Sequence, residues 1–192
     1  GSTANEPSFS ISAWVKITDQ SAPFGIVSKI ATGGSGDEYF FGTLPFVGMT
    51  FLIADGNGFG GDYIAQSNVT ITNDVWHHVV ATYDGSRGPG GMKVYVDGVN
   101  ESNAGLSPGS YSAMSNSSAD LVIGRKWSGL TTNVAEGFID EIALFDKNLS
   151  ETEVSELFNS EKVHDLKAHS AATSLVSWWR MGDKATGTSP NY

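Results

Sequence analysis

The chain contains no cysteine. Disulfides and thiolate metal sites are thereby excluded, but the compartment is not fixed, because proteins of oxidising compartments also occur without them. Basic residues are scarce: 11 Lys and Arg stand against 21 Asp and Glu, a formal net charge of -10. A phosphate backbone is held by clustered Lys and Arg, so nucleic acid is not an expected partner. No apolar run approaches the roughly 20 residues of a bilayer-spanning helix, and membrane insertion is not expected. A Ser-His-Asp signature around a nucleophile elbow and a phosphate-binding Gly-Lys motif are also lacking. Gly1-Ser2-Thr3 has no apolar stretch behind it, so residues 1–4 read as a cloning remnant or an internal cut of a longer protein.

What the chain does have is an apolar fraction of 40%, enough for a core, spread over 192 residues with no linker, which predicts one domain. Its centre is Trp76-His-His-Val-Val-Ala-Thr-Tyr-Asp-Gly85, answered by Met92-Lys-Val-Tyr-Val-Asp-Gly98. Both runs are rich in β-branched and aromatic residues and end on Asp-Gly, which supplies the positive φ angles of a tight turn. In the second run Met92, Val94 and Val96 alternate with Lys93, Tyr95 and Asp97, which predicts one face on a core and the other on water.

Further strands are predicted at short intervals. Phe9 to Ile17 alternates strictly, and Gly25–Ile30, Tyr39–Gly42, Met49–Ile53, Tyr63–Gln66, Leu121–Gly124 and Phe138–Phe145 follow between turn residues. The stretch from Asn100 to Ala119 is rich in Ser, Asn and Gly and reads as a long surface loop. One helix is expected from about Glu151: Ser150 and Glu153 fit a capping box, Leu149 and Val154 a hydrophobic staple, and Val154, Leu157 and Phe158 one apolar face. It is the expected cover for the outer side of Phe138–Phe145. The aromatic run Leu175 to Met181 needs a sheet to pair with. The fold class is all-β, an antiparallel two-sheet sandwich or jelly roll with one short helix near the C-terminus.

Four segments in this order resemble the laminin-G-like, or concanavalin-A-like, jelly-roll family: Phe9–Lys16, Trp76–Gly85 with Val94–Gly98, Ile123-Gly124, and Gly137–Ile142 running into Leu149–Glu153. The resemblance implies two antiparallel sheets, one of them concave, used mainly for binding sugars or proteins. Trp178-Trp179-Arg180-Met181-Gly182-Asp183 resembles the strand that usually opens such a module, yet stands last. It either pairs as a substitute first strand, the expectation that takes 175–183 into this domain, or begins a neighbouring module.

Asp140 is the leading site residue, because strand alternation puts it on one face with Phe138, Ile142 and Leu144, where a bare carboxylate is costly. The resemblance implies that the matching Asp holds a structural calcium with backbone carbonyls; the alternative is a carboxylate that accepts hydrogen bonds from loop amides. Asp55, Asn57 and Asp62 offer oxygens for a second calcium, although Phe59 and Gln66 stand where an EF-hand loop has ligands. His77 and His78 point to opposite faces of a strand and cannot chelate one ion together, which leaves them a structural role. Trp127, with Arg125 beside it and Tyr39 and Tyr63 on neighbouring rims, is the candidate sugar surface, since C–H groups of a pyranose pack on aromatic faces.

The sandwich hydrolases of this architecture carry Glu-x-Asp-x-Glu on one strand, and no such run occurs here, so an enzyme is not expected. Two readings stay open. The first is a calcium-stabilised carbohydrate-binding module of a larger extracellular or surface protein. The second is a structural or adhesive domain of a cell-surface or virion protein, mediating protein contacts or oligomerisation.

Overall fold

The computed structural model describes residues 6–31, 36–56, 63–69, 71–102, 104–106, 110–125, 136–159 and 165–181, with backbone alone for 63–68, 104 and 106. Among the described residues, twelve strands and one α-helix follow one another: β1 (Phe9–Ile17), β2 (Phe24–Lys29), β3 (Tyr39–Leu44), β4 (Gly48–Ala54), β5 (Tyr63–Val69), β6 (Trp76–Tyr83), β7 (Met92–Val96), β8 (Val99–Asn100), β9 (Ala104–Leu106), β10 (Leu121–Ile123), β11 (Gly137–Phe145), α1 (Glu151–Phe158) and β12 (Leu175–Trp179). They form two six-stranded antiparallel sheets, β12-β11-β1-β6-β7-β8 and β10-β2-β3-β4-β5-β9. The architecture is the two-layer β-sandwich that the strand spacing predicts.

Alternation decides which side chains meet between the layers. Ile11, Val15 and Ile17 of β1, Val79 and Ala81 of β6 and Val94 of β7 face Ile26, Phe41, Phe51 and Ile53 of the second sheet, all of them buried. At about 25 cal/mol per Å², burial of this apolar surface is the main term holding the layers together. Asp97 (φ 51) and Gly98 (φ 79) both take positive φ, the two-residue turn that folds β7 back as β8. The stretch from Asn100 to Ala119, read as a long surface loop, thus holds the end of β8 and all of β9, two short strands that finish one edge of each sheet.

Under α1 the outer face of the first sheet is buried, where the alternation in β7 suggested water. Tyr95 is buried, and so are Val80, Ala143 and Phe145, under Val154 and Leu157 of α1 and under Leu166 and Ala171 beyond it. The helix starts where its capping box predicts: Ser150 Oγ accepts the N–H of Glu153, and Glu153 Oε2 accepts the N–H of Ser150. Leu149 and Val154 share the same apolar cluster, as the staple requires. Phe158, last in the helix, stacks on Trp14 and His78 at ring-centroid distances of 6.1 and 6.2 Å. β12 pairs with β11, Ile142 opposite Trp179 and Ala143 opposite Trp178, and forms the edge of the helix-covered sheet.

Candidate functional site

A bulge changes the surroundings of Asp140. The pairing of β1 with β11 slips between Ser12 and Trp14, and Glu141 sits at φ 50. Two-residue alternation therefore fails here. Ile139, Ile142 and Leu144 pack toward the inter-sheet core, whereas Asp140 lies opposite Trp14 on the outer face. The expectation that Asp140 shares a face with Ile142 and Leu144 is corrected by that single extra residue; it shares one with Phe138. Asp140 is buried, and its Oδ1 accepts the N–H of Glu141 at 2.8 Å. Among the described residues no three His, Cys, Asp or Glu side chains converge as a metal-ligand group.

Of the second proposed ion site, Asp55 is half-buried after β4, while Asn57 and Asp62 lie outside the described residues. Trp127 also lies outside them. Arg125 is half-buried, and its carbonyl accepts the Ser28 hydroxyl at 2.8 Å. Ser28 stands in cross-strand register with Phe40, and Phe40 with Leu52, so the residue leading into 126–135 is tied to the outer face of the second sheet. There Ile30, Phe40, Leu52 and Ala54 form a buried apolar cluster. Tyr63 pairs with Ala54 at the start of β5. Tyr39 is placed differently from the rim position expected of it. Its ring packs on Phe9 at 5.5 Å, and burial, with Glu38 adding to it, pushes its hydroxyl up to about 12. Tyr39 also lines an apolar cleft of about 270 Å³ with Phe9, Met114, Leu144 and Val176, at the margin where the two sheets meet.

His77 and His78 do part to different partners. His77 Nε2 accepts the N–H of Thr72 at 3.2 Å, which leaves Nδ1 as the donor to Asp97 Oδ2 at 2.7 Å. His78 is buried between Trp14 and Phe158, bonded through Nε2 to the Ser12 hydroxyl at 2.9 Å. Burial holds it down at about 4, a lowering that nearby His169 reinforces and Asp97 opposes.

Three buried carboxylates carry structural work that sequence reasoning missed. Glu6 Oε2 accepts both the Tyr83 and Tyr111 hydroxyls, at 2.6 and 2.8 Å, and its Oε1 accepts the N–H of Met114 at 2.7 Å. Glu38 Oε1 takes Lys29 Nζ at 2.5 Å and the hydroxyl of Ser117 at 2.9 Å. Glu141 takes the Trp178 indole N–H at 2.6 Å, and burial raises its carboxyl above the usual range. Each joins segments far apart in sequence, which is why no local motif announces them.

The profile of the concanavalin A-like lectin/glucanases superfamily matches residues 2–155. The chain belongs to that superfamily. A search of curated proteins returns no match. Among solved structures, the chain is similar to a candidate carbohydrate-binding protein from Bacteroides ovatus, with 18% identity and a TM-score of 0.55 over 94% of this chain and 47% of that one. It is also similar to the botulinum neurotoxin serotype C1 binding domain, at 18% identity and TM-score 0.56 over 81% of this chain and 37% of that one. A third is Trypanosoma rangeli sialidase, at 18% identity and TM-score 0.53 over 81% of this chain and 23% of the enzyme. This superfamily member thus spans less than half of each, and identities at this level establish the shared sandwich.

Proposed function

We propose that the chain is a non-catalytic carbohydrate-recognition module of a larger extracellular or surface protein, with the Trp127 region as its sugar surface. The observation that carries this reading is the use made of the buried acids. Glu6, Glu38 and Glu141 are each engaged by hydroxyl, amide, ammonium or indole donors that hold the sandwich together. A glycosidase instead needs two carboxyl groups held for reaction on opposite sides of the scissile bond. Superfamily membership and the binding domains among the similar structures point the same way. Arg125, tied through its carbonyl to Ser28, fixes the point from which the 126–135 stretch leaves the second sheet. Tyr39 belongs to the cleft at the sheet margin, and Tyr63 to the β4–β5 pair near it.

A glycan array tests this directly: wild-type chain is expected to be retained on a defined set of sugars, and Trp127→Ala to lose that retention with Tm unchanged. Retention unaltered by the substitution would remove Trp127 from the role. The adhesive reading draws on a different observation. Phe46, at the tip of the β3–β4 turn, is 103% exposed and held at φ 62, an uncommon posture for an aromatic residue. Light scattering that finds a stable oligomer, dispersed by Phe46→Ser, together with a silent array, would favour that alternative.

A further inference from the structure

Beyond the end of α1, the outer face of the first sheet carries a row of three residues, Phe138, Lys16 and Trp76. Lys16 stands between two aromatic residues, paired with Phe138 of β11 on one side and Trp76 of β6 on the other. The rings of Phe138 and Trp76 lean together over the strand that bears Lys16, with centroids 6.4 Å apart and planes inclined at 45°. Phe138 is 60% exposed, and Lys16 and Trp76 are half-buried. In a chain of net charge -10, the Lys16 ammonium forms no ion pair with any described residue. Lys29, Lys93 and Lys147, by contrast, each hold a glutamate.

We propose that Trp76, Lys16 and Phe138 form a second binding site, separate from that of Trp127, for a pyranose that bears a carboxylate. Two aromatic faces offer packing for the C–H groups of a sugar ring, and the ammonium between them offers one charge-assisted contact to an anion. Size selects the occupant. The row crosses three strands, about 10 Å, which suits one or two sugar rings. Two aromatic side chains and a lysine present far less than the roughly 800 Å² per partner of a stable protein interface. Acids flank Phe138 in sequence and narrow the place where an anion can sit. Asp140 is buried two residues along and Glu136 exposed just before β11, so Lys16 is the one point on the row where a carboxylate is attracted.

Titration calorimetry with a glucuronate tetrasaccharide and its neutral, carboxyl-reduced counterpart tests the site. The wild type is expected to bind the acidic sugar at least tenfold more tightly than the neutral one, with an affinity that falls as salt rises. Lys16→Gln should abolish that preference, Phe138→Ala should weaken binding about tenfold with Tm unchanged, and Trp127→Ala should leave it intact. Equal affinity for the two tetrasaccharides, or no binding of either, overturns the proposal. So does acidic-sugar binding that survives both Lys16→Gln and Phe138→Ala. Loss of binding in Trp127→Ala alone would assign the acidic sugar to the other surface, which separates failure of this site from failure of that one.

Discussion

The indole N–H of Trp178 donates to Glu141 Oε2 at 2.6 Å, which ties the last strand to the bulge in β11. Arg180 reinforces the link, its Nε 3.4 Å from Glu141 Oε1 and its guanidinium 4.8 Å from the Trp178 ring centroid. A buried carboxylate deprived of its best donor bears a desolvation cost of about 1–3 kcal/mol. Trp178→Phe keeps the ring and removes only the N–H. It is expected to lower stability by about that amount in urea denaturation, and a midpoint equal to wild type would show the bond to be dispensable.

The N-terminal segment is pinned in a comparable way. Glu6 accepts two tyrosine hydroxyls and a backbone N–H, and a Cβ on Gly85 (φ 84) would fall 2.0 Å from the Glu6 carbonyl oxygen. Gly85→Ala combines that clash with an unfavourable φ and should cost more than about 1 kcal/mol. Glu6→Gln replaces one accepting oxygen by a donor that faces hydroxyls or an N–H, and should cost about 1–3 kcal/mol. Burial also pushes the Tyr83 and Tyr111 hydroxyls upward, with Glu6 adding to it. Spectrophotometric titration of the tyrosines should show Tyr83 and Tyr111 among the groups that stay protonated until the chain unfolds in alkali, and their early ionisation would contradict the network.

What could be read without the structure was whatever repeats over a few residues. The alternation in β1, the Asp97-Gly98 turn and the Ser150–Glu153 capping box are local and appear where they were expected. The bulge at Glu141 is one residue long and leaves no trace in the hydrophobic pattern, so it moved Asp140 to the other face unannounced. Tyr95 was misread for the same physical reason: its burial depends on α1, more than fifty residues downstream. The proposed sugar residues were chosen by residue type, and type does not say which way a ring turns, as Tyr39 against Phe9 illustrates.

Calcium is a separable part of the functional reading. If the ion belongs to the folded state, chelation lowers Tm and added calcium restores it, because a ligand that binds only the native chain stabilises it. The expected outcome is a reversible drop, reduced in Asp140→Asn if Asp140 is a ligand and in Asp55→Asn if the loop after β4 holds the ion. A Tm indifferent to chelator would leave Asp140 as a carboxylate held by amides such as that of Glu141, at 2.8 Å.

Acid should loosen the helix-covered face first. His78 is 2% exposed, and burial holds it at about 4, below its ordinary 6.5. A base whose folded value is depressed contributes its full stability above the unfolded value and loses it as pH falls toward the folded one. Between pH 7 and pH 5 the contribution of His78 alone is a loss of about 2 kcal/mol. Asp97 lies on the side that eases protonation and His169 on the side that resists it, while Trp14 and Phe158 keep water from the ring. His78→Gln can still reach the Ser12 hydroxyl but carries no titrating group. Urea midpoints at pH 7 and pH 5 should therefore differ less in this variant than in the wild type, by that amount. An identical pH dependence in the two chains would mean that His78 gains its proton without disturbing the packing of α1 on the sheet.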